Sequence, residues 1–556
     1  GASRCFPPHR CPHSFFKCVH CADDGLDAAS LFFSSPSDTE LPCFGVDPSL
    51  EAATGCCRFA TNCTNYDAAC EATCTEGATN PIATPDSSRR VKNYIPVADG
   101  FAAAHGTKVA STVVGSLYES RSVKCSDSGN YSADGVAGVA AGATTVFVDI
   151  GSQATGDLEV PATSFGTSLQ EFAYNLGANE VVLAWGASSS GASDAITRDI
   201  DSFLTSNNDA VVVAAAGNSG SNVNTALSKN GISAGVFAGD GSSTTNPDVS
   251  VQFVTPLLAA NSGSNDATDF CEVDTFAGSS AAAAIVAGQV AVTEQYLKVY
   301  GSIFAYNGTG SETVEAGSQY SGATLKALLV ASASNEGVAA GNGAGVPVLE
   351  RVLPFEDEHQ RDLRIEQHTF TSTGSRSRTI TVTDASKPLV VTLAYTDTAP
   401  APFATSGNGV VNDVRLTVTS PSQTYSEGVT VYPAGSSATS AANNVQKIII
   451  TVPEEGDYVI NVDAAFLSST AAADQTVSVV VSGRFSVASS DTVTGQDAGE
   501  VTAVPACCPY GTLYPTTSCF PITFLVLIVV VVFAFGLVLI CIFRAKCKVK
   551  DVHAAA

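Results

Sequence analysis

Four short stretches carry side chains that could do chemistry together. "DTFAGSSAAAAIVAGQVAV", residues 274–292, puts Ser279 and Ser280 at the mouth of a small-residue helix. Either serine could cap that helix, or Ser280 could act as a nucleophile. An alcohol is a poor nucleophile at neutral pH and needs a base within hydrogen-bond reach. "AAAHGTKVASTVVG" offers His105 at the start of a second small-residue helix, where Gly106 lets the chain turn tightly. "VVVAAAGNSG" ends a buried strand near Asn218, whose amide could hold a developing oxyanion. "KCVHCADDGLD" reads as a strand ending in Asp23, a carboxylate able to orient an imidazole. Taken singly, each has a plain structural reading: a helix cap, a histidine at a helix start, a strand-end turn and an Asp-Gly turn.

Such side chains need a sheet to present them. "TTVFVDIG", "NEVVLAWG" and "AVVVAAAGN" are buried-strand runs closed by glycine or a polar turn. "SLQEFAYNLG" and "AITRDIDSFLTSN" lie between them with apolar residues at helical spacing. Alternating strands and helices predict an α/β fold, a doubly wound parallel sheet, over residues 23–350. Working residues in such sheets sit at the carboxyl ends of strands. Residues 1–22 read as a truncated N-terminal segment, and about 40–80 as a cysteine-rich insertion. After residue 365 the texture becomes β-branched and alternating, as in "PLVVTLAYTD" and "DYVINVDAAF". It predicts an all-β sandwich over 366–486, followed by a Ser/Thr/Pro/Gly-rich stalk over 487–519.

The run "FPITFLVLIVVVVFAFGLVLICIF", residues 520–543, is uncharged and long enough to span a bilayer as a helix. Arg544, Lys546, Lys548 and Lys550 follow it, whereas 487–519 holds no Lys or Arg. The positive-inside rule makes 544–556 a short cytoplasmic tail and leaves the body extracellular or luminal. Fifteen of the 17 cysteines fall on that outer side, ten of them between Cys5 and Cys74, so disulfides are expected there. A zinc cluster of Cys11, His13, Cys18 and Cys21 is the other reading of "CPHSFFKCVHC". Sequons at Asn62, Asn130 and Asn307 fit a glycosylated exterior. An upstream signal peptide or pro-segment is compatible with a chain that opens at Gly1 and holds no methionine. The net charge of −26 repels phosphate backbones and argues against nucleic acid as a partner.

The order Asp, His, Asn, Ser is where the resemblance becomes specific. These segments resemble the subtilisin-like serine proteases, the subtilases, in which Asp-Thr/Ser/Asp-Gly precedes His-Gly-Thr-x-Val-Ala, then Ala-Ala-Gly-Asn-x-Gly, then Gly-Thr-Ser-x-Ala-x-Pro. Asp23, His105, Asn218 and Ser280 fall on the matching positions. The resemblance implies a serine endopeptidase that hydrolyses peptide bonds in protein or peptide substrates through an acyl-enzyme. His105 would carry the Ser280 proton to the leaving amine, Asp23 would hold the imidazole, and Asn218 would bind the oxyanion. Leu183, Ala184, Trp185 and Gly186 would pair with an extended substrate. Ala214, Ala215, Ala216 and Gly217 would line the primary specificity pocket. No cofactor is required for the chemistry, and structural calcium is compatible with the family. The sandwich resembles the jelly-roll domain of one subset, while "DDG" and "SSAAAA" are closer to the kexin-like processing proteases. A non-catalytic binding or adhesion ectodomain is the further alternative. The sequence departs from the family at Ala284, where proline is usual, at Lys108, often histidine, and at Ala184, usually serine. The 82-residue spacing from Asp23 to His105 is long for the family, which keeps Asp27 and Asp99 as rival carboxylates.

Overall fold

The structure is a computed structural model. It describes residues 18–23, 26, 33, 90–96, 104–116, 137–152, 155, 157–160, 170–188, 195–218, 223–237, 247–252, 257–260, 273–307, 312–313, 319–334, 343–354, 361–399, 410–426, 444–468, 474–487, 512–513 and 520–521, residues 153 and 154 excepted.

Seven strands form one parallel sheet: β1 (Cys18–Asp23), β2 (Val91–Pro96), β3 (Thr144–Asp149), β4 (Glu180–Leu183), β5 (Val211–Ala215), β6 (Ile232–Phe237) and β7 (Val249–Gln252). Their spatial order is β2-β3-β1-β4-β5-β6-β7. Among the described residues five α-helices accompany them: α1 (Ala104–Val114), α2 (Glu171–Asn175), α3 (Ala195–Ser206), α4 (Gly278–Tyr300) and α5 (Gly322–Ser332). Parallel strands need crossovers, and crossovers cover both faces, which is why these strands are apolar throughout. Side-chain alternation divides them cleanly. Val182, Val211, Val213 and Ala215 join the core under α1 and α4, while Val181, Leu183, Val212 and Ala214 join Ile200, Phe203 and Leu204 of α3.

α4 is rich in alanine because it runs close beside its neighbours. Ala281, Ala282, Ala283 and Ala284 are fully buried, and a Cβ at Gly288 would fall 2.5 Å from Val139 Cβ. The sheet switches direction at β1, which lies between β3 and β4. The chain leaves this point toward one edge early and toward the other later, so a crevice opens at the carboxyl ends of β1 and β4. The sheet begins at Cys18 rather than at Asp23, because the strand that delivers Asp23 is one of its central members.

An antiparallel pair, β8 (Leu257–Ala260) and β9 (Val273–Phe276), leads directly into α4. Beyond α4 come β10 (Ala305–Asn307), β11 (Glu312–Thr313), β12 (Ala333–Ser334) and β13 (Val346–Pro347). The all-β part consists of β14 (Asp362–Phe370), β15 (Gly374–Val382), β16 (Leu389–Tyr395), β17 (Asp413–Thr419), β18 (Thr424–Ser426), β19 (Val445–Ile450), β20 (Gly456–Phe466), β21 (Gln475–Gly483) and β22 (Phe485–Val487). They form two sheets, ordered β11-β10-β14-β21-β16-β19 and β18-β17-β20-β15-β22, that enclose a core including Phe370, Tyr395, Leu416, Tyr458 and Val479. Residues 305–307, the strand β10, fall within the span 23–350 that the sequence assigns to the α/β domain. The strand instead pairs with β14 in the sandwich, where it covers an edge strand whose backbone groups would otherwise lack partners.

The outer face of the first sandwich sheet packs on the α/β domain. Leu363, Ile365, Val390, Ala394, Val445 and Val480 share one core with α4 and α5. Lys447 reaches across this contact, fully buried, and its Nζ donates to the carbonyls of Val330 and Ala333, each at 2.7 Å. The Val330 carbonyl also accepts from the Ala333 N–H that caps α5, so Lys447 adds a second donor at this helix end. Lys229 Nζ meets Asp397 Oδ2 at 2.6 Å as a second buried tie.

Burial, with a smaller contribution from Arg351, pushes the Lys447 ammonium down to about 7 from 10.5. The unfolded chain therefore binds the extra proton between those values, and stability contributed by this group increases as pH rises through that window. Urea unfolding at about pH 6.5 and about pH 9 is expected to show this gain in the wild type. Lys447→Met should remove it, and equal gains in both proteins would assign the slope to another group.

Residues 520–543, expected to span a membrane, lie outside the described residues apart from a two-residue strand at Phe520–Pro521. Among the described residues no helix is long and apolar enough to cross a membrane. Most of the stalk, Val487 and the two-residue strand Thr512–Leu513 excepted, and most of the cysteine cluster are likewise outside them. Cys21 is buried in β1, with Thr145 Oγ1 3.6 Å from its sulfur.

Candidate active site

β1 ends in Asp23, buried at the switch point of the sheet. Its Oδ1 lies 2.7 Å from Nδ1 of His105, which stands in the first turn of α1 with a side chain 39% exposed. An ionised carboxylate only accepts, so this contact places the imidazole proton on Nδ1 and leaves Nε2 able to accept. Phe276, at the end of β9, meets the imidazole edge to face, with ring centroids 5.9 Å apart and planes at 86°.

Ser280 lies in the first turn of α4, and its Oγ donates to the Ala184 carbonyl at 2.8 Å. Ala184 follows directly on β4, the neighbour of β1, so the hydroxyl stands at the same end of the sheet as Asp23. The reading of Ser279 or Ser280 as a helix cap is corrected here. Both serines are inside the helix; the cap residue is Ala277, and no side chain of its own caps the end. The acceptor comes from a distant strand: Ser279 N–H donates to Asn218 Oδ1 at 2.7 Å. Asn218 itself is exposed. The mouth of a helix, where the first N–H groups have no intrahelical acceptor, suits a developing negative charge. Gly278 makes the approach possible. Its φ is +81°, and a Cβ there would fall 2.9 Å from Asn218 Oδ1.

The remaining expected site residues lie at the carboxyl ends of the neighbouring strands β4 and β5. Leu183 closes β4, and Ala184, Trp185 and Gly186 continue it. The Trp185 indole Nε1 donates to the Ala22 carbonyl at 2.8 Å, which ties this segment to the end of β1. Thr225 Oγ1 donates to the Trp185 carbonyl at 2.7 Å. Ala214 and Ala215 end β5, and Ala216 and Gly217 follow, with Gly217 N–H donating to Ser279 Oγ at 3.2 Å. Asp27 and Asp99 lie outside the described residues. Of the zinc candidates, Cys11 and His13 also lie outside them, and among the described residues there is no group of three or more His, Cys, Asp or Glu able to hold a metal ion.

The sequence reading missed the roles of Phe276, Thr225 and the pair Lys108–Asp274. Lys108 Nζ meets Asp274 Oδ2 at 2.5 Å and the Thr275 carbonyl at 3.2 Å. The only signal in the sequence was the lysine standing where histidine is frequent.

No curated protein matches the chain. Among solved structures it is similar to the prenylagaramide maturation protease PagA, at 16% identity and a TM-score of 0.37, covering 63% of this chain and 95% of that one. A protease from Pseudoalteromonas arctica gives 18%, 0.35, 60% and 88% on the same measures. A cold adapted subtilisin-like serine proteinase gives 16%, 0.32, 61% and 89%. The sequence model of the subtilase family matches residues 18–345, more than half of the chain and the whole span from β1 to β12. The chain belongs to the subtilase family and is a serine-type endopeptidase.

Proposed function

We propose that this subtilase is a membrane-anchored endopeptidase whose triad is Asp23, His105 and Ser280, with Asn218 and the Ser280 N–H as the oxyanion hole. The observation that carries this reading is the 2.7 Å contact of His105 Nδ1 with buried Asp23, beside a helix mouth that presents Ser280. For attack, Ser280 Oγ exchanges the Ala184 carbonyl for His105 Nε2 by a turn about its Cα–Cβ bond. His105 takes the proton as Oγ adds to the scissile carbonyl, then returns it to the leaving amine. Asp23 holds the tautomer and stabilises the imidazolium. Water then repeats the sequence on the acyl-enzyme. The substrate backbone pairs with 183–186, and its side chain enters between that segment and 214–217.

The segments 183–186 and 214–217 consist of Leu, Ala, Trp and Gly, which supports a general or apolar preference at these positions. The strand order of the sandwich supports a jelly roll, since β14, β21, β16 and β19 face β15, β20, β17 and β18. Anchoring by 520–543, with the body extracellular or luminal, rests on the uncharged run and the basic residues after it.

Digestion of a peptide library by the detergent-solubilised full chain tests the activity. Cleavage is expected from the wild type and not from Ser280→Ala, and equal cleavage by both would sink the reading. Asn218→Ala removes one oxyanion donor and is expected to lower kcat by about 10²–10³-fold with KM nearly unchanged. A loss confined to KM would instead place Asn218 in ground-state binding.

A further inference from the structure

We propose that Lys108 is a positioning residue: with Asp274 it straps β9 onto the histidine helix and so holds Phe276 against His105. The inference rests on the triad reading above. Lys108 follows His105 by three residues on α1, so the two side chains share one helix face. Its Nζ has two acceptors on β9, Asp274 Oδ2 at 2.5 Å and the Thr275 carbonyl at 3.2 Å. Asp274 Oδ1 also accepts from Thr275 N–H at 2.7 Å, which fixes the carboxylate on its own strand. The next residue is Phe276, the ring that meets the imidazole.

His105 needs such a restraint. Asp23 meets it at Nδ1, and 39% of its side chain is exposed. β9 needs one too, since Asp274 and Thr275 are exposed and, among the described residues, the strand pairs with β8 alone. The Lys108 hydrogen bond, followed by the Thr275 N–H, holds the Asp274 carboxyl below its ordinary range. Exposed ion pairs add little to fold stability. The value of this one lies in geometry, because an ångström of misplacement at a reacting group costs about 10²-fold in rate.

Three variants of the full chain test the strap. Lys108→Met is expected to lower kcat at least about tenfold, with KM within about twofold and little change in thermal midpoint. The far-downfield proton resonance of His105 Nδ1–H should broaden in that variant. Lys108→Arg, which reaches both acceptors, should retain most of the rate. The exchanged pair Lys108→Asp with Asp274→Lys should recover most of what either single change loses. Unchanged kcat and an unchanged resonance in Lys108→Met, or a loss in KM alone, overturns the proposal. Failure of the triad reading looks different: the wild type itself would then take no fluorophosphonate at Ser280.

Discussion

Ser280→Ala is expected to lower kcat for peptide hydrolysis by about 10⁶-fold, the scale known for subtilisin, a member of this family. The change deletes the nucleophile and almost nothing else. The hydroxyl donates to the Ala184 carbonyl, and loss of one such bond costs about 1 kcal/mol. Alanine is at least as good a helix former in the first turn of α4, where it would continue the run Ala281–Ala284. The thermal midpoint should therefore stay close to that of the wild type. The segments 183–186 and 214–217 are untouched, so substrate binding should persist. Residual turnover of about 10³–10⁴ over the uncatalysed rate is expected from the oxyanion hole and substrate binding alone. A variant that keeps a few per cent of wild-type kcat would mean another nucleophile.

The second large effect belongs to Asp23. Asp23→Asn is expected to lower kcat by about 10⁴-fold with the fold retained. The reason is the direction of one proton. The carboxylate accepts from His105 Nδ1 at 2.7 Å and so leaves Nε2 basic. An asparagine amide in the same place can donate to Nδ1, which moves the imidazole proton to Nε2 and removes the base. Asp27→Asn and Asp99→Asn should each cost less than about tenfold, below about 1.4 kcal/mol in the barrier. Near-normal turnover in Asp23→Asn, with a collapse in either of the others, would reassign the first member of the triad.

Much of the scaffold was legible because its signals are local. "AVVVAAAGN" and "TTVFVDIG" announce buried strands by β-branched runs that end in glycine or a polar turn, and they form β5 and β3. His105 and Ser280 stand at helix mouths that small residues mark out. The α/β sheet and the later β-sandwich both followed from such patterns. What stayed hidden is non-local. Nothing near Ser279 says that its N–H finds its acceptor in Asn218, 61 residues earlier. The Lys108–Asp274 pair joins residues 166 apart on an exposed strand, with no periodicity to betray it. The three residues "AYN" of β10 are too short to read as a strand, and only the open edge of β14 explains them.

The central claim is that Ser280 performs covalent catalysis with His105 as its base. The most direct measurement is intact-mass and peptide-mapping mass spectrometry of the full chain after treatment with a fluorophosphonate, which reacts only with an activated serine. One adduct is expected, on Ser280, absent from Ser280→Ala and strongly slowed in Asp23→Asn. An adduct on another residue, or labelling that survives in Ser280→Ala, would contradict the assignment.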